Sequence, residues 1–314
     1  MTDYKTLKGG LVKVVSSDPS NLYKGQVLYN STTEALKIYT LGSGTWTSGE
    51  DTNTSGAGRA SFGFVQSAVV AAASYPPGTN SEEYDGTDWV EGNNLNQSRE
   101  SCDGFGTLSA GCVAGGYSGG VRTESEEYDG TSYTEGNNLN TGRHIPSGAS
   151  QSSQTAGLLT GGTSASAATE EYDGTSWANG GNLNQGAYGP YCTGTQTSGL
   201  KWGGEYPGSQ VETEEYDGSS WTAVNDCNVS NEMGGDGGTQ ASTIYGGGES
   251  DIDASESYNG TTWSTTANIN SGGSQRGGSG TGVLAVIHNG STPAADTATE
   301  EWAVAAGTAT VTTS

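Results

Sequence analysis

Side chains able to do chemistry are scarce in this 314-residue chain, with one exception: 35 Asp and Glu stand against 11 Lys and Arg and 2 His, for a formal charge of -24. The acids cluster. EEYDGTSW, residues 170 to 177, brings Glu170, Glu171 and Asp173 close together, and ESDIDASE adds Glu249, Asp251 and Asp253 in an Asp-x-Asp pattern. Oxygen donors so spaced suit Ca²⁺, a hard ion that takes ~6–8 oxygen ligands. The same residues also have a plainer reading, in which Asp173-Gly174 is a turn and the glutamates are surface charge.

The acidic motif does not stand alone. It recurs as SEEYDGTDW (81–89), SEEYDGTSY (125–133), TEEYDGTSW (169–177), TEEYDGSSW (213–221) and SESYNGTTW (255–263), and then as a degenerate EEWAV in which Trp302 takes the Tyr place. The motif tyrosines Tyr84, Tyr128, Tyr172, Tyr216 and Tyr258 are spaced by 44, 44, 44 and 42 residues, each followed five residues on by Trp89, Tyr133, Trp177, Trp221 or Trp263. A fixed period of this length marks a repeat architecture. One active site has no need of six copies.

Each unit reads in the same order: a Gly-rich segment, a short apolar run ending in Gly-Gly, a variable insert, the motif, an aromatic segment, and NNLN or a relative. Asp-Gly or Asn-Gly between β-favouring stretches is a hairpin signal, expected here as a type I′ turn. Four antiparallel strands per unit, a to d, follow. Eleven residues after the motif Tyr comes an apolar slot, filled by Leu95, Leu139, Leu183, Cys227 and Ile269, so Cys227 is expected as a packing thiol. Cys102, Cys112, Cys192 and Cys227 show no metal-ligand spacing and are too few for a disulfide framework.

The fold class expected is all-β: a β-propeller of four-stranded antiparallel blades, its core carried by 7 Trp and 16 Tyr. Seven blades are favoured, because Tyr39 precedes Tyr84 by 45 residues and Trp46 follows it, with six blades plus an N-terminal β extension as the alternative. The domains are then a tail at 1–9, a divergent first blade or anchoring β segment at 10–50, and six blades at 51–314.

Gly-Gly after an apolar strand, then Tyr, then Trp after a turn, resembles the kelch repeat. The string ATEEYDGTSW...GGNLN, residues 168 to 184, resembles kelch-like repeats in virion proteins of tailed bacteriophages, notably marine ones. GQVLYNSTTEALKIY, residues 25 to 39, is similar to a segment of phage structural and tail-fibre proteins. The resemblance covers about residues 25 to 314. It implies a structural component of a virion, assembled in the host cytoplasm: a tail fibre or appendage that meets the host surface, or a capsid decoration protein that binds neighbouring virion subunits. A free lectin-like or scaffold propeller is a further alternative.

No enzyme is expected. His144 and His288 lie at non-equivalent places in their units, and no Ser-His-Asp order, nucleophile elbow or phosphate loop is present. No cofactor is expected, Ca²⁺ being the one ion the acids would suit. Arg99 and Arg143 are expected to meet the motif carboxylates. So negative a chain repels nucleic acid, and no apolar run spans a bilayer, so neither nucleic-acid binding nor membrane insertion is expected. MTDYKTLKGGLVKVV lacks the pattern of a signal peptide, so synthesis in the cytosol is expected. Expected partners are other virion proteins and a host-surface receptor or glycan. The inserts between strands b and c vary most, and in a propeller they share one face with the d-to-a links, presenting Tyr75, Tyr117, Arg122, Tyr206 and Asp251 as the candidate partner-binding set.

Overall fold

A computed structural model describes residues 13–15, 27–164, 166–205, 208–249, 252–291 and 295–310. The chain divides into two compact units, Trp46–Ala303 and a second made of Met1–Thr45 with Val304–Ser314.

In the first unit each of the first five sequence repeats is one antiparallel sheet of four strands in the order a-b-c-d. Blade one comprises Ala60–Val65, Ala68–Ala72, Ser81–Tyr84 and Trp89–Glu91, and blade two Asp103–Thr107, Ala110–Ala114, Ser125–Tyr128 and Tyr133–Glu135. Blade three comprises Ser147–Gly148, Gly157–Thr160, Thr169–Tyr172 and Trp177–Asn179, and blade four Tyr191–Thr195, Ser198–Trp202, Thr213–Tyr216 and Trp221–Ala223. Blade five is Gly235–Thr239, Ser242–Gly246, Ser255–Tyr258 and Trp263–Thr265. The motif Tyr pairs across the hairpin with the aromatic five residues on, ring centroids 4.6 to 5.0 Å apart, and both rings are buried against adjacent blades.

Blade six corrects the seven-blade expectation. Its strands a, b and c are Gly277–Gly280, Leu284–His288 and Thr299–Thr310, and its fourth strand is the N-terminal Ala35–Ser48. The physical reason is visible in the sequence: EEWAV is not followed by Asp-Gly, so the last unit cannot turn back to make its own strand d. Trp46 fills the vacant slot. Its ring lies 5.3 Å from that of Trp302, and its Nε1 donates to Ser255 Oγ at 3.0 Å. Trp89, Trp221 and Trp263 likewise donate to Thr299, Thr169 and Thr213 of the preceding blade. Tyr84 donates to Glu301 at 2.5 Å, closing blade one onto blade six. The protein is thus a closed six-bladed β-propeller.

In the second unit Lys13–Val15 pairs parallel with Val27–Asn30, which pairs antiparallel with Ala35–Ile38. The side chain of Tyr39, invoked above for a seventh blade, lies outside the described residues. No helix of the described residues is long and apolar enough to cross a membrane.

The c–d hairpin also differs from expectation. Tyr84 pairs directly with Trp89, leaving a four-residue loop rather than a two-residue type I′ turn. Asp85 Oδ1 accepts from the backbone N of Thr87 and Asp88 at 2.8 and 3.0 Å, which holds its carboxyl below the usual aspartate range. Asp129, Asp173 and Asp217 repeat the arrangement, and Asn259 makes the same two bonds as an amide.

Candidate functional site

The repeated glutamates are consumed by the scaffold. The first of each pair is buried, not exposed: Glu170 Oε2 accepts from Asn140 N and Nδ2 at 2.7 and 3.0 Å, and Oε1 from Thr141 N at 3.2 Å, all on the loop leaving the previous blade. Glu82, Glu126, Glu214, Glu256 and Glu300 capture the corresponding backbone N–H groups. Buried charge needs a counterion. Arg143 supplies one to Glu170 at 3.0 Å and Arg99 one to Glu126 at 2.8 Å, as the sequence reading expected, and Arg59 serves Glu82 at 2.8 Å. Blade four has Ala187 in the arginine slot; there Lys201, fully buried, stands directly across the strands from Glu214 without forming an ion pair, its pKa lowered by burial.

The second glutamate works toward the next blade. Tyr128 donates to Glu83, Tyr172 to Glu127, Tyr216 to Glu171 at 2.5 Å and Tyr258 to Glu215 at 3.1 Å. The exception is instructive: where Trp302 replaces the Tyr and offers no hydroxyl, the preceding blade carries Ser257 instead of Glu. The motif glutamates that looked available for a cation are therefore hydrogen-bonded within the ring.

A different site lies at the mouth of the axial channel. Gly58, Ser101, Ile145, Gly189, Met233 and Gln275, one per interblade link, all have φ between 51° and 60°. Left-handed conformation is unfavourable for Ile above all. What over-determines it is a belt of backbone hydrogen bonds around the axis: Ser101 N to Gly58 O, Ile145 N to Ser101 O, Gly189 N to Ile145 O, Met233 N to Gly189 O, Arg276 N to Met233 O, and Gly58 N to Gln275 O, at 2.7 to 3.3 Å. Each link hands its carbonyl to the next, so the belt fixes the mouth as a rigid frame.

The residue before each belt position faces the first residue of a b–c insert. Ala57 bonds Tyr75, Glu100 bonds Tyr117, His144 bonds Thr163, Tyr188 bonds Glu205, Glu232 bonds Glu249, and Ser274 bonds Ser291. The mouth is thereby sided. One arc is aromatic: Tyr75 is 55% and Tyr117 36% exposed, Tyr117 lies 5.3 Å from His144, and Tyr188 Oη is 3.2 Å from His144 Nδ1. The other arc is acidic. Glu232 is only 3% exposed with Oε2 unpartnered, and burial, then the charges of Glu205 and Glu249, push its pKa up to about 7. Glu205 and Glu232 also help raise the Tyr188 pKa, after burial; burial lowers that of His144 and raises that of Glu100.

Of the candidates named from sequence, Tyr75 and Tyr117 stand at this mouth. Arg122 sits farther along its insert, 3.3 Å from Glu124 and 3.5 Å from Gln97 Oε1. Tyr206, Asp251 and, with it, part of ESDIDASE fall outside the described residues. His288 is buried between Ser61 Oγ and Asn289, with its pKa pushed down to about 3 by burial and by Arg59. Sequence reading missed Glu100, His144, Tyr188 and Glu232. A signal existed: these residues lie five positions after Leu95, Leu139, Leu183 and Cys227, the same register that placed Cys227 in the core.

No protein-family model matches the chain, and no curated protein matches it. Among solved structures it is similar to one titled "Structure of YjhT", at a TM-score of 0.67 and 12% identity, over 82% of this chain and 99% of the other. At that identity the likeness is one of fold, and it agrees with the β-propeller built above from sheet topology and interblade contacts.

Proposed function

We propose that the protein is a non-enzymatic structural component of a phage particle, a kelch-like propeller on a tail fibre or appendage that contacts the host surface through its channel mouth. The observation that carries the binding part is the division of labour in the repeat. Motif residues are spent on joining blades, while the inserts that begin at Tyr75, Tyr117, Thr163, Glu205, Glu249 and Ser291 differ in every blade and are held by one rigid belt. A fixed frame with variable loops is the usual arrangement of a recognition surface. Exposed tyrosines beside carboxylates and His144 suit stacking on sugar rings with hydrogen bonds to their hydroxyls, which makes a host-surface glycan the fitting ligand class. The phage assignment draws on the resemblance of residues 168 to 184 and 25 to 39 to virion proteins.

Immunogold imaging of purified particles with antibody against this chain tests the placement. Label on tail appendages is expected. Label confined to the head would replace this reading with capsid decoration, and particles free of label would remove the virion assignment altogether.

A further inference from the structure

The six belt residues also line an axial cavity of about 70 Å³, whose wall continues into the first residues of the inner strands. Into it come Asp103 of blade two and Asp236 of blade five, from opposite sides of the ring. We propose that this cavity is a binding site for a hard divalent cation, Ca²⁺ by preference, held between Asp103 and Asp236 largely through water.

Three observations support it. Among the described residues neither aspartate forms a salt bridge, and the two arginines that line the cavity are turned to other acids, Arg59 to Glu82 at 2.8 Å and Arg276 to Asp296 at 3.8 Å. Asp103 is fixed at the cavity wall, Oδ1 accepting from Gly104 N and Oδ2 from Gly148 N, both at 2.8 Å, with Ser147 Oγ at 3.4 Å from Oδ2. Ser150 lines the same cavity, is 3% exposed, and its Oγ has no hydrogen-bond partner. A buried hydroxyl left unpaired costs ~1–3 kcal/mol, which a bound ion or its water would offset. The volume exceeds the ~10–15 Å³ that one water requires, leaving room for an ion with part of its shell.

Two carboxylates place the affinity at the weak end for Ca²⁺, a Kd on the order of 10⁻⁴ to 10⁻³ M. Calorimetric titration of the metal-free full chain with CaCl₂, paired with thermal melts at constant ionic strength, tests it. The wild type is expected to show one saturable site and a rise in Tm. Asp236→Asn is expected to lose both while its ion-free Tm stays equal or rises, since an unpaired buried charge has gone. Glu205→Gln with Glu249→Gln at the mouth is expected to keep both. Wild type without a saturable site, undiminished binding in D236N, or loss of binding only in the mouth variant would each overturn the proposal. Crystals of the wild type soaked in MnCl₂ give a readout free of variant folding: an anomalous peak between Asp103 and Asp236 is expected, and peaks only elsewhere would overturn it. Melts that rise on acidification but ignore CaCl₂ would show instead that the pair shares a proton.

Discussion

Ser257 shows how tightly single residues are coupled across blades. Each glutamate that faces a motif tyrosine has a hydroxyl to accept from; Ser257 faces Trp302, which has none. Placing a carboxylate there without a donor is expected to cost ~1–2 kcal/mol, so Ser257→Glu should lower stability in denaturant melts. Adding Trp302→Tyr should return part of that loss, and a double-mutant cycle should give a favourable coupling of ~1 kcal/mol. Additive losses would show that the pairing carries no energy. A second residue, Glu232, links the mouth to pH. Its pKa is raised to about 7 from 4.5, by burial and by Glu205 and Glu249, with Tyr188 beside it. The native state therefore holds this proton more tightly than the unfolded chain, and the stability tied to it is lost as pH rises from about 4.5 to about 7. Glu232→Gln should flatten the Tm profile over that window and melt higher than wild type at its upper end; parallel profiles would refute the assignment. The roles of these glutamates were not legible in sequence, because their partners lie about 30 to 45 residues away on another blade. The Arg99 and Arg143 pairings were legible, since both residues recur at a constant offset from a carboxylate that needs charge.

Elements were the most readable scale. Apolar runs, the Gly-Gly pair and the motif marked strands b and c in every blade, because period and turn chemistry are local. Where the reading slipped, backbone geometry decided. The c–d connection became a four-residue loop because Asp85 and its equivalents satisfy the turn amides by side chain, and only the following Gly, at φ 93° in Gly86, is left-handed. In blade one the left-handed position that the first Gly of the pair holds elsewhere is taken by Ala73 at φ 65°, followed by Ser74. The belt was invisible, since four of its six left-handed residues are not glycine. A comparison of two glycines tests whether close packing or φ alone governs such positions. Gly119 has φ 69° and open space around a Cβ, so Gly119→Ala should cost only the ~1–2 kcal/mol of the left-handed conformation. At Gly203, φ 59°, a Cβ would meet Asn231 O at 2.3 Å, and Gly203→Ala should cost ~2 kcal/mol more. Equal losses in equilibrium unfolding would contradict the packing seen there.

At the scale of the whole molecule, the repeat announced a propeller, but the blade number depended on a contact between the two ends of the chain. Trp46 looked like the mark of a seventh unit because it follows Tyr39 as Trp follows Tyr elsewhere; it is instead the missing strand of blade six. Trp46→Ala should cost ~3–5 kcal/mol and, as its signature, speed amide exchange along Thr299–Ala303. Exchange unchanged on that strand would mean that the ring closes without it. On the function proposed above, a ring joined by its repeated motif leaves recognition to the mouth, and competition for adsorption tests this most directly. Purified wild-type chain, added to host cells before phage, is expected to reduce adsorption in a saturable way. Tyr75→Ser with Tyr117→Ser, at unchanged Tm, should abolish the effect, whereas Val90→Ser on the exposed outer strand of blade one should retain it. Undiminished competition by the double tyrosine variant would contradict the account.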